Sequence, residues 1–139
     1  MLRRGAIGGV LLLLALAAFD ATAVQGFTPG PYGAQFFVRG THVECVADGH
    51  VGGYVFCTSR VFAHRHALCA GAPVGFELTG TGRSRVTSAC GGAAPHAPLR
   101  RGERLQAGRI HCIVTLGGIR CQNASGHGFT LTDRRSRRF

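Results

Sequence analysis

The chain has 139 residues, with 16 Lys or Arg against six Asp or Glu, so its formal net charge is +10 at pH 7. This length limits the chain to one domain. The positive charge favours contact with anions such as nucleic acid, acidic polysaccharide or anionic lipid. A second interpretation stays open, because every basic residue is arginine and a GC-rich bacterial genome writes Arg in place of Lys without any anionic ligand.

The N-terminus has the three parts of a secretory signal peptide. An arginine pair at positions 3 and 4 precedes an apolar run over residues 7–18, and a small-x-small motif follows at 21–23. We predict a signal peptide over residues 1–23, so the mature chain is secreted, either extracellular or in the cell envelope. The alternative is an uncleaved anchor. It is disfavoured because the apolar run is shorter than the ~20 residues of a membrane-spanning helix and Asp20 interrupts it.

The remainder of the sequence is typical of an all-β domain. Residues 24–33, rich in Gly and Pro, predict an irregular segment. Short β-prone runs then alternate with glycine, which predicts a small disulfide-stapled antiparallel β domain over residues 34–132. We expect a sandwich or barrel of about eight short strands. The predicted strands are 35–39, 42–46, 54–58, 74–79, 84–88, 109–115, 119–122 and 128–132, with a helical turn within 61–68 and a linker over 91–99.

Side chains on these strands alternate between the two faces of a sheet, so the apolar positions predict the core. We expect the protein to bind no cofactor and no metal. Most of the buried side chains should come from Phe36, Val43, Val55, Phe76, Leu78, Ile110, Ile113, Ile119, Phe129 and Leu131.

All six cysteines lie beyond the export signal, which indicates disulfides formed in an oxidising compartment. Fifteen pairings are open to six cysteines. A weak internal repeat places a glycine-bearing turn, at 50–52 and again at 116–117, between two strands that each carry a cysteine. Opposed residues of antiparallel strands lie ~4.5–5.5 Å apart, within disulfide range. We therefore predict the sequential pairs Cys45–Cys57, Cys69–Cys90 and Cys112–Cys121.

The C-terminal third resembles a known family. The run Gly118-Ile119-Arg120-Cys121-Gln122-Asn123, followed by Gly126-His127-Gly128-Phe129-Thr130-Leu131, is similar to the end of small secreted proteins and lipoproteins of actinobacteria, a family of unknown function. The resemblance covers Gly108 to Leu131 well and extends loosely back to Phe36. It implies an exported, β-rich domain of actinobacterial type and implies no catalytic residue.

His127 is the first candidate for a binding site. Its neighbours Gly126 and Gly128 expose backbone N–H groups, so the segment could hold an anion while His127 donates a proton. The alternative is a tight turn in which Phe129 packs into the core. The sequence leaves both interpretations open.

A second candidate set is catalytic. If Cys112 and Cys121 share one sheet face, His111 and Arg120 point to the other face. Together with His127 and Glu103 they would supply the base, the acid and the cation that a secreted ribonuclease needs. The sequence does not show that these residues converge.

Other chemistry is weakly represented. His64 and His66 provide two metal ligands without a third, and six paired cysteines leave no thiolate nucleophile. Residues 133–139 form a basic C-terminal tail, predicted to be solvated. Removal of residues 134–139 is expected to leave the fold intact, unless Phe139 packs against the domain and orders the tail. Its arginines are candidates for holding the protein to anionic envelope polymers: Arg134, Arg135, Arg137 and Arg138.

Three functions follow from these patterns. The leading hypothesis is an exported, monomeric, non-catalytic interaction module that binds anionic envelope or extracellular polymers. One alternative is a small ribonuclease-like hydrolase that uses His111 and His127. The other is a secreted inhibitor that presents the loop over residues 91–99.

Overall fold

The computed structural model describes residues 34–90 and 97–139. The predicted signal peptide and the irregular segment that follows it lie outside the described residues. The described part is an all-β domain with two short 3-10 helices, which confirms the predicted fold class. Within these residues, no helix is long and apolar enough to cross a membrane. The strands are β1 Ala34–Val38, β2 Glu44–Asp48, β3 Tyr54–Thr58, β4 Val74–Thr79, β5 Arg85–Ser88, β6 Ala97–Leu99, β7 Arg104–Ala107, β8 Ile110–Thr115, β9 Gly118–Asn123, β10 Gly128–Thr132 and β11 Ser136–Arg138, and the 3-10 helices are His50–Gly52 and Arg60–Phe62.

The strands form two sheets. The first has the order β5-β4-β3-β2-β1-β6, and the second has the order β11-β10-β9-β8-β7. Neighbouring strands are antiparallel except β1 and β6, which are parallel. The Phe76 ring of the first sheet contacts the Phe129 ring of the second, with their centroids 5.2 Å apart. The two sheets therefore share one core between their inner faces.

The described residues contain three strands more than the eight predicted. β6 contains Pro98, which has no N–H to donate, and it pairs on one side only, at the edge of its sheet. β11 consists of Ser-Arg-Arg and has no apolar residue, so only its backbone hydrogen bonds join it to β10. β7 is a four-residue strand that contributes only Leu105 and Ala107 to the inner face. In each of these three strands, the run of alternating apolar and polar residues is too short for the sequence to predict a strand.

All six cysteines are paired in the predicted sequential order. Cys45 is directly opposite Cys57 on β2 and β3, and Cys112 is directly opposite Cys121 on β8 and β9. The Cα atoms of these pairs are 4.2 and 4.1 Å apart, a spacing typical of positions that do not exchange hydrogen bonds. The predicted hairpin repeat is therefore confirmed, with one copy in each sheet.

Nine of the ten residues predicted for the core are buried, but they are fewer than half of the 22 buried apolar residues, so the prediction that they supply most of the buried side chains was wrong. The prediction of Ile113 was wrong. On β8 the inward positions belong to Ile110, Cys112 and Val114, so Ile113 is on the outer face and only half-buried. Apolar residues occupy positions on both faces of β8, so hydrophobicity alone does not show which face is buried. Cys112 faces the core, so the residues two positions before and after it also face inward.

Glycines let the turns at one end of the sandwich approach each other. A Cβ on Gly53 would collide with the carbonyl of Ala107, and a Cβ on Gly80 would collide with the carbonyl of Gly52. The backbone N–H of Arg109 donates to the Gly52 carbonyl at 2.7 Å. Turns from both sheets are thus joined through backbone, which positions the loops of the site described below.

Asp133 joins the turn after β10 to the turn between β1 and β2. Its carboxylate accepts the backbone N–H of His42 at 3.0 and 3.1 Å, and His42 Nδ1 lies 3.1 Å from Oδ2. Burial raises the pKa of the Asp133 carboxyl, but the hydrogen bonds from His42 outweigh burial and lower that pKa below its ordinary value of 3.8. Folding therefore stabilises the charged form.

Replacing Asp133 should weaken the fold only where the carboxyl is ionised. A group whose pKa is lowered by folding stabilises the protein above its unfolded pKa, and this contribution is lost as the pH falls through the folded pKa. We expect Asp133→Asn to lower the free energy of unfolding by ~0.5–1 kcal/mol at pH 6, with the difference vanishing on acidification below the folded pKa. Urea titrations across this pH range measure the difference, with Glu44→Gln as the control for loss of a surface carboxylate. A difference independent of pH would contradict the assignment.

Candidate functional site

The outer face of the second sheet carries a row of arginines. Arg104 on β7 is opposite Ile113 on β8, which is opposite Arg120 on β9. Arg120 is in turn opposite Thr130 on β10, which is opposite Arg137 on β11. Opposed side chains share a sheet face, and the three arginines are exposed. Arg104, Arg120 and Arg137 are called the arginine row below.

Carboxylates neutralise few of the arginines. The described residues include 14 arginines and five acids. Among them, Arg85 is the one arginine in an ion pair, which it makes with Glu77. Two other acids contact histidines, and Glu103 accepts a hydrogen bond from the backbone N–H of Arg100 at 2.6 Å. The arginine row therefore presents uncompensated positive charge.

The C-terminal segment, predicted to be a solvated tail, belongs to the sheet. Ser136–Arg138 pair with β10, and Phe139 exchanges two backbone hydrogen bonds with Gly128. The Phe139 ring lies over Gly128, where a Cβ would collide with it. The Arg120 guanidinium stacks on the same ring, 4.0 Å from its centroid. Removal of this segment would uncover the edge of β10. The structure therefore does not support the prediction that the tail can be removed without loss of the fold.

The Gly126-His127-Gly128 segment is a turn organised by Asn123. The Asn123 side-chain oxygen accepts the backbone N–H groups of Ser125 and His127, each at 3.1 Å, and its backbone oxygen accepts the N–H of Gly126. The N–H of Gly128 donates to the Phe139 carbonyl. These backbone N–H groups are used within the protein. The turn therefore offers the imidazole of His127 to a ligand and not the backbone cradle that the sequence suggested.

Asn123 also reaches the first sheet. Its side-chain amide, in a residue 5% exposed, donates to the carbonyls of Thr79 and Gly82 at 2.9 and 2.7 Å. This one side chain fixes the His127 turn against the turn between β4 and β5. Sequence reasoning missed this role. The available signal was an Asn followed by a Gly-rich turn, where Asn commonly bonds backbone two residues ahead.

A pocket of about 600 Å³ opens where the edges of the two sheets meet. Arg83 and Ser84 line it from the turn before β5, His127 lines it from the Asn123-organised turn, and Arg138 and Phe139 line it from the C-terminal segment. Arg138 Nη1 donates to the Ser84 carbonyl at 3.3 Å, across the junction. We call this the edge pocket. It combines two guanidinium groups, an imidazole and an aromatic ring with the buried Ser84, and no Asp or Glu side chain lines it.

The proposed catalytic set does not assemble in one cleft. His111 and Arg120 lie on the outer face, as predicted, but His127 lies at the edge pocket. His111 on β8 is two strands away from Gly128 on β10, roughly 10 Å at the usual strand spacing. Glu103, just before β7, is three residues from Gln106, the partner of His111, again a backbone separation of about 10 Å. Among the described residues, no hydrogen bond or ion pair joins two members of the set.

The remaining candidates are spread over the surface. Arg134 and Arg135 are exposed in the turn between β10 and β11. Of the loop over residues 91–99, the basis of the inhibitor hypothesis, residues 97–99 form β6 and residues 91–96 lie outside the described residues. Within the described ranges, no three His, Cys, Asp or Glu side chains lie close enough together to hold a metal ion.

Comparison with known proteins adds no assignment to this geometry. The chain matches no protein-family model, no curated protein and no solved structure.

Proposed function

We propose that this protein is an exported interaction module that binds an anionic polysaccharide of the cell envelope or surroundings. The observation that carries the proposal is the arginine row, with three exposed cations in one cross-strand line and no described carboxylate paired with them. Consecutive members of the row are two strands apart, roughly 10 Å. A linear polyanion crossing the strands would meet each guanidinium in turn.

The shape of this surface favours a flexible polysaccharide over duplex nucleic acid. Reading the major groove requires a protruding helix or two-stranded ribbon. The arginine row lies on a sheet face, and the helices of the described residues are three-residue 3-10 turns. Arginine forks bind carboxylate, sulfate and phosphate groups alike. The face therefore suits a chain of repeated charges more than a base sequence.

The compartment supports the same proposal. Three disulfides pair all six cysteines, an arrangement typical of oxidising environments outside the cytosol. Export through the signal peptide and membership in the actinobacterial secreted family are parts of the proposal. Acidic polysaccharides are the abundant polyanions of that environment, and the monomeric domain would adhere to them.

Neutralising the arginine row should lower both affinity for a polyanion and its salt dependence. We expect Arg104→Gln/Arg137→Gln to reduce the slope of log affinity against log salt by roughly one per arginine removed. Titrations with polygalacturonate, heparin and duplex DNA at several salt concentrations measure this slope. Arg39→Gln/Arg65→Gln removes the same charge from exposed positions outside the row and should have a much smaller effect.

Three outcomes of these titrations would count against the proposal. Negligible binding of the unsubstituted protein to every polyanion at low salt would refute it. Equal slopes for the row variant and its charge-matched control would show that binding depends on net charge and not on the arginine row. Stronger binding to DNA than to both polysaccharides would show that the ligand is nucleic acid and not polysaccharide. RNA cleavage in a parallel assay, lost in His111→Ala or His127→Ala, would favour the hydrolase.

A further inference from the structure

The edge pocket has the charge pattern of a site for a dianion. Arg83 and Arg138 line it from different sheets and are exposed, and neither forms an ion pair with a described carboxylate. Each guanidinium can donate two parallel hydrogen bonds to an oxyanion. Two such cations balance the two charges of a phosphate monoester, whereas a carboxylate or a sulfate ester carries one. The imidazole of His127 adds another donor between them.

Ser84 provides an independent indication of a ligand. The residue lines the pocket and is 6% exposed, and its Oγ is the one buried side-chain polar atom of the described residues that lacks a hydrogen-bond partner. Buried hydroxyl groups are nearly always hydrogen-bonded, because an unpaired one is costly. A phosphate oxygen in the pocket would supply the missing partner once the Ser84 hydroxyl, which is closed to solvent in the free protein, rotates toward it.

The pocket has room for more than a free phosphate ion. Its volume of about 600 Å³ lies within the range of sites for whole small molecules. The Phe139 ring forms part of the wall, lies against Gly128 and has the Arg120 guanidinium over one face. The part of this half-buried ring that stays exposed is the apolar surface that a sugar attached to the phosphate would contact.

We propose that the edge pocket binds a phosphate monoester of sugar size, with the phosphoryl group held by Arg83, Arg138, His127 and Ser84 and the sugar on Phe139. The residues that would hold the phosphoryl group are not members of the arginine row, although Arg120 of the row stacks on Phe139. Adjacent residues of β11 point to opposite faces of a strand, so Arg137 belongs to the row and Arg138 to the pocket. An experiment can therefore refute the phosphate site without refuting the polysaccharide-binding surface, and the reverse.

Calorimetric titration of the folded protein with glucose 6-phosphate, inorganic phosphate and glucose tests the proposal. We expect glucose 6-phosphate to bind more tightly than inorganic phosphate, and glucose not to bind. Arg138→Gln and Arg83→Gln should each weaken glucose 6-phosphate binding roughly tenfold or more. Arg137→Gln, the matched control next in sequence, should leave it unchanged.

Ser84→Ala separates a binding role from a structural one. Because Oγ has no partner in the free protein, the substitution should not lower the melting temperature, yet it should weaken glucose 6-phosphate binding roughly threefold or more. An unchanged affinity would overturn the role of Ser84. Equal affinities for glucose 6-phosphate and glucuronate, or equal losses in Arg138→Gln and Arg137→Gln, would overturn the phosphate site. Should Arg138→Gln fail to fold, Arg83→Gln, in an exposed turn, decides the question.

The phosphate monoester could be a free metabolite or the end of a polymer. A neutral oligosaccharide with one terminal phosphate distinguishes these sources. Affinity equal to that of glucose 6-phosphate would identify the free monoester, and tighter binding would identify the chain end.

Discussion

Phe129→Ala should destabilise the protein by about 3–5 kcal/mol. Phe129 is fully buried, and its ring contacts Phe76 across the two sheets. Truncation would leave a cavity at the contact that joins the layers. Single domains are commonly stable by only ~5–15 kcal/mol, so this loss would consume much of the total.

Urea unfolding of the disulfide-intact protein, followed by circular dichroism, measures the effect. Leu116→Ala is the matched control, because Leu116 is 76% exposed at the tip of the β8–β9 hairpin. Its free energy of unfolding should change by no more than ~0.5 kcal/mol. A loss below ~1 kcal/mol for Phe129→Ala would place the ring outside the core, contrary to the structure.

Asn123→Asp should destabilise the protein by about 2–4 kcal/mol, more than its size change suggests. The substitution keeps the side-chain oxygen that accepts from Ser125 and His127. It replaces the amide that donates to Thr79 and Gly82 with an oxygen facing two carbonyl oxygens. A buried charge would then face acceptors only, and the two sheets would lose a contact.

Gln122→Glu provides the control for Asn123→Asp. It makes the same chemical change one residue earlier, at an exposed side chain with one hydrogen bond to the Gly126 carbonyl. We expect it to cost less than ~1 kcal/mol. Similar losses for the two variants in thermal and urea unfolding would show that Asn123 does not connect the sheets. Because Asn123 fixes one wall of the edge pocket, Asn123→Asp should also weaken glucose 6-phosphate binding.

The predictability of the fold depended on how local the interactions were. The bridges Cys45–Cys57 and Cys112–Cys121 lie in hairpins with short turns, so strand alternation and turn length were enough to pair them. The strand β11 could not be predicted in this way. Its residues are exposed arginines and a serine, and it forms because the edge of β10 has unpaired backbone groups. That edge exists only after the sheet has assembled.

The candidate sites show the same division. Composition alone showed an excess of positive charge, with 14 arginines and five acids in the described chain, and left open whether this charge binds an anion. Register then decided which arginines act together, placing Arg104, Arg120 and Arg137 in one row although they are far apart in sequence. Arg137 and Arg138 are adjacent on a strand, so they point to opposite faces and belong to different sites. Contact between the two sheets places Arg83 and His127 in one pocket.

The sequence by itself determined the fold class, the disulfide pairing and part of the core, because strand alternation and opposed cysteines are properties of short segments. Only the tertiary structure decided the arginine row, the role of Asn123 and the edge pocket. Each of these depends on which strands become neighbours and how the two sheets meet. Those long-range contacts are set by the packing of the whole core and leave no local pattern in the chain.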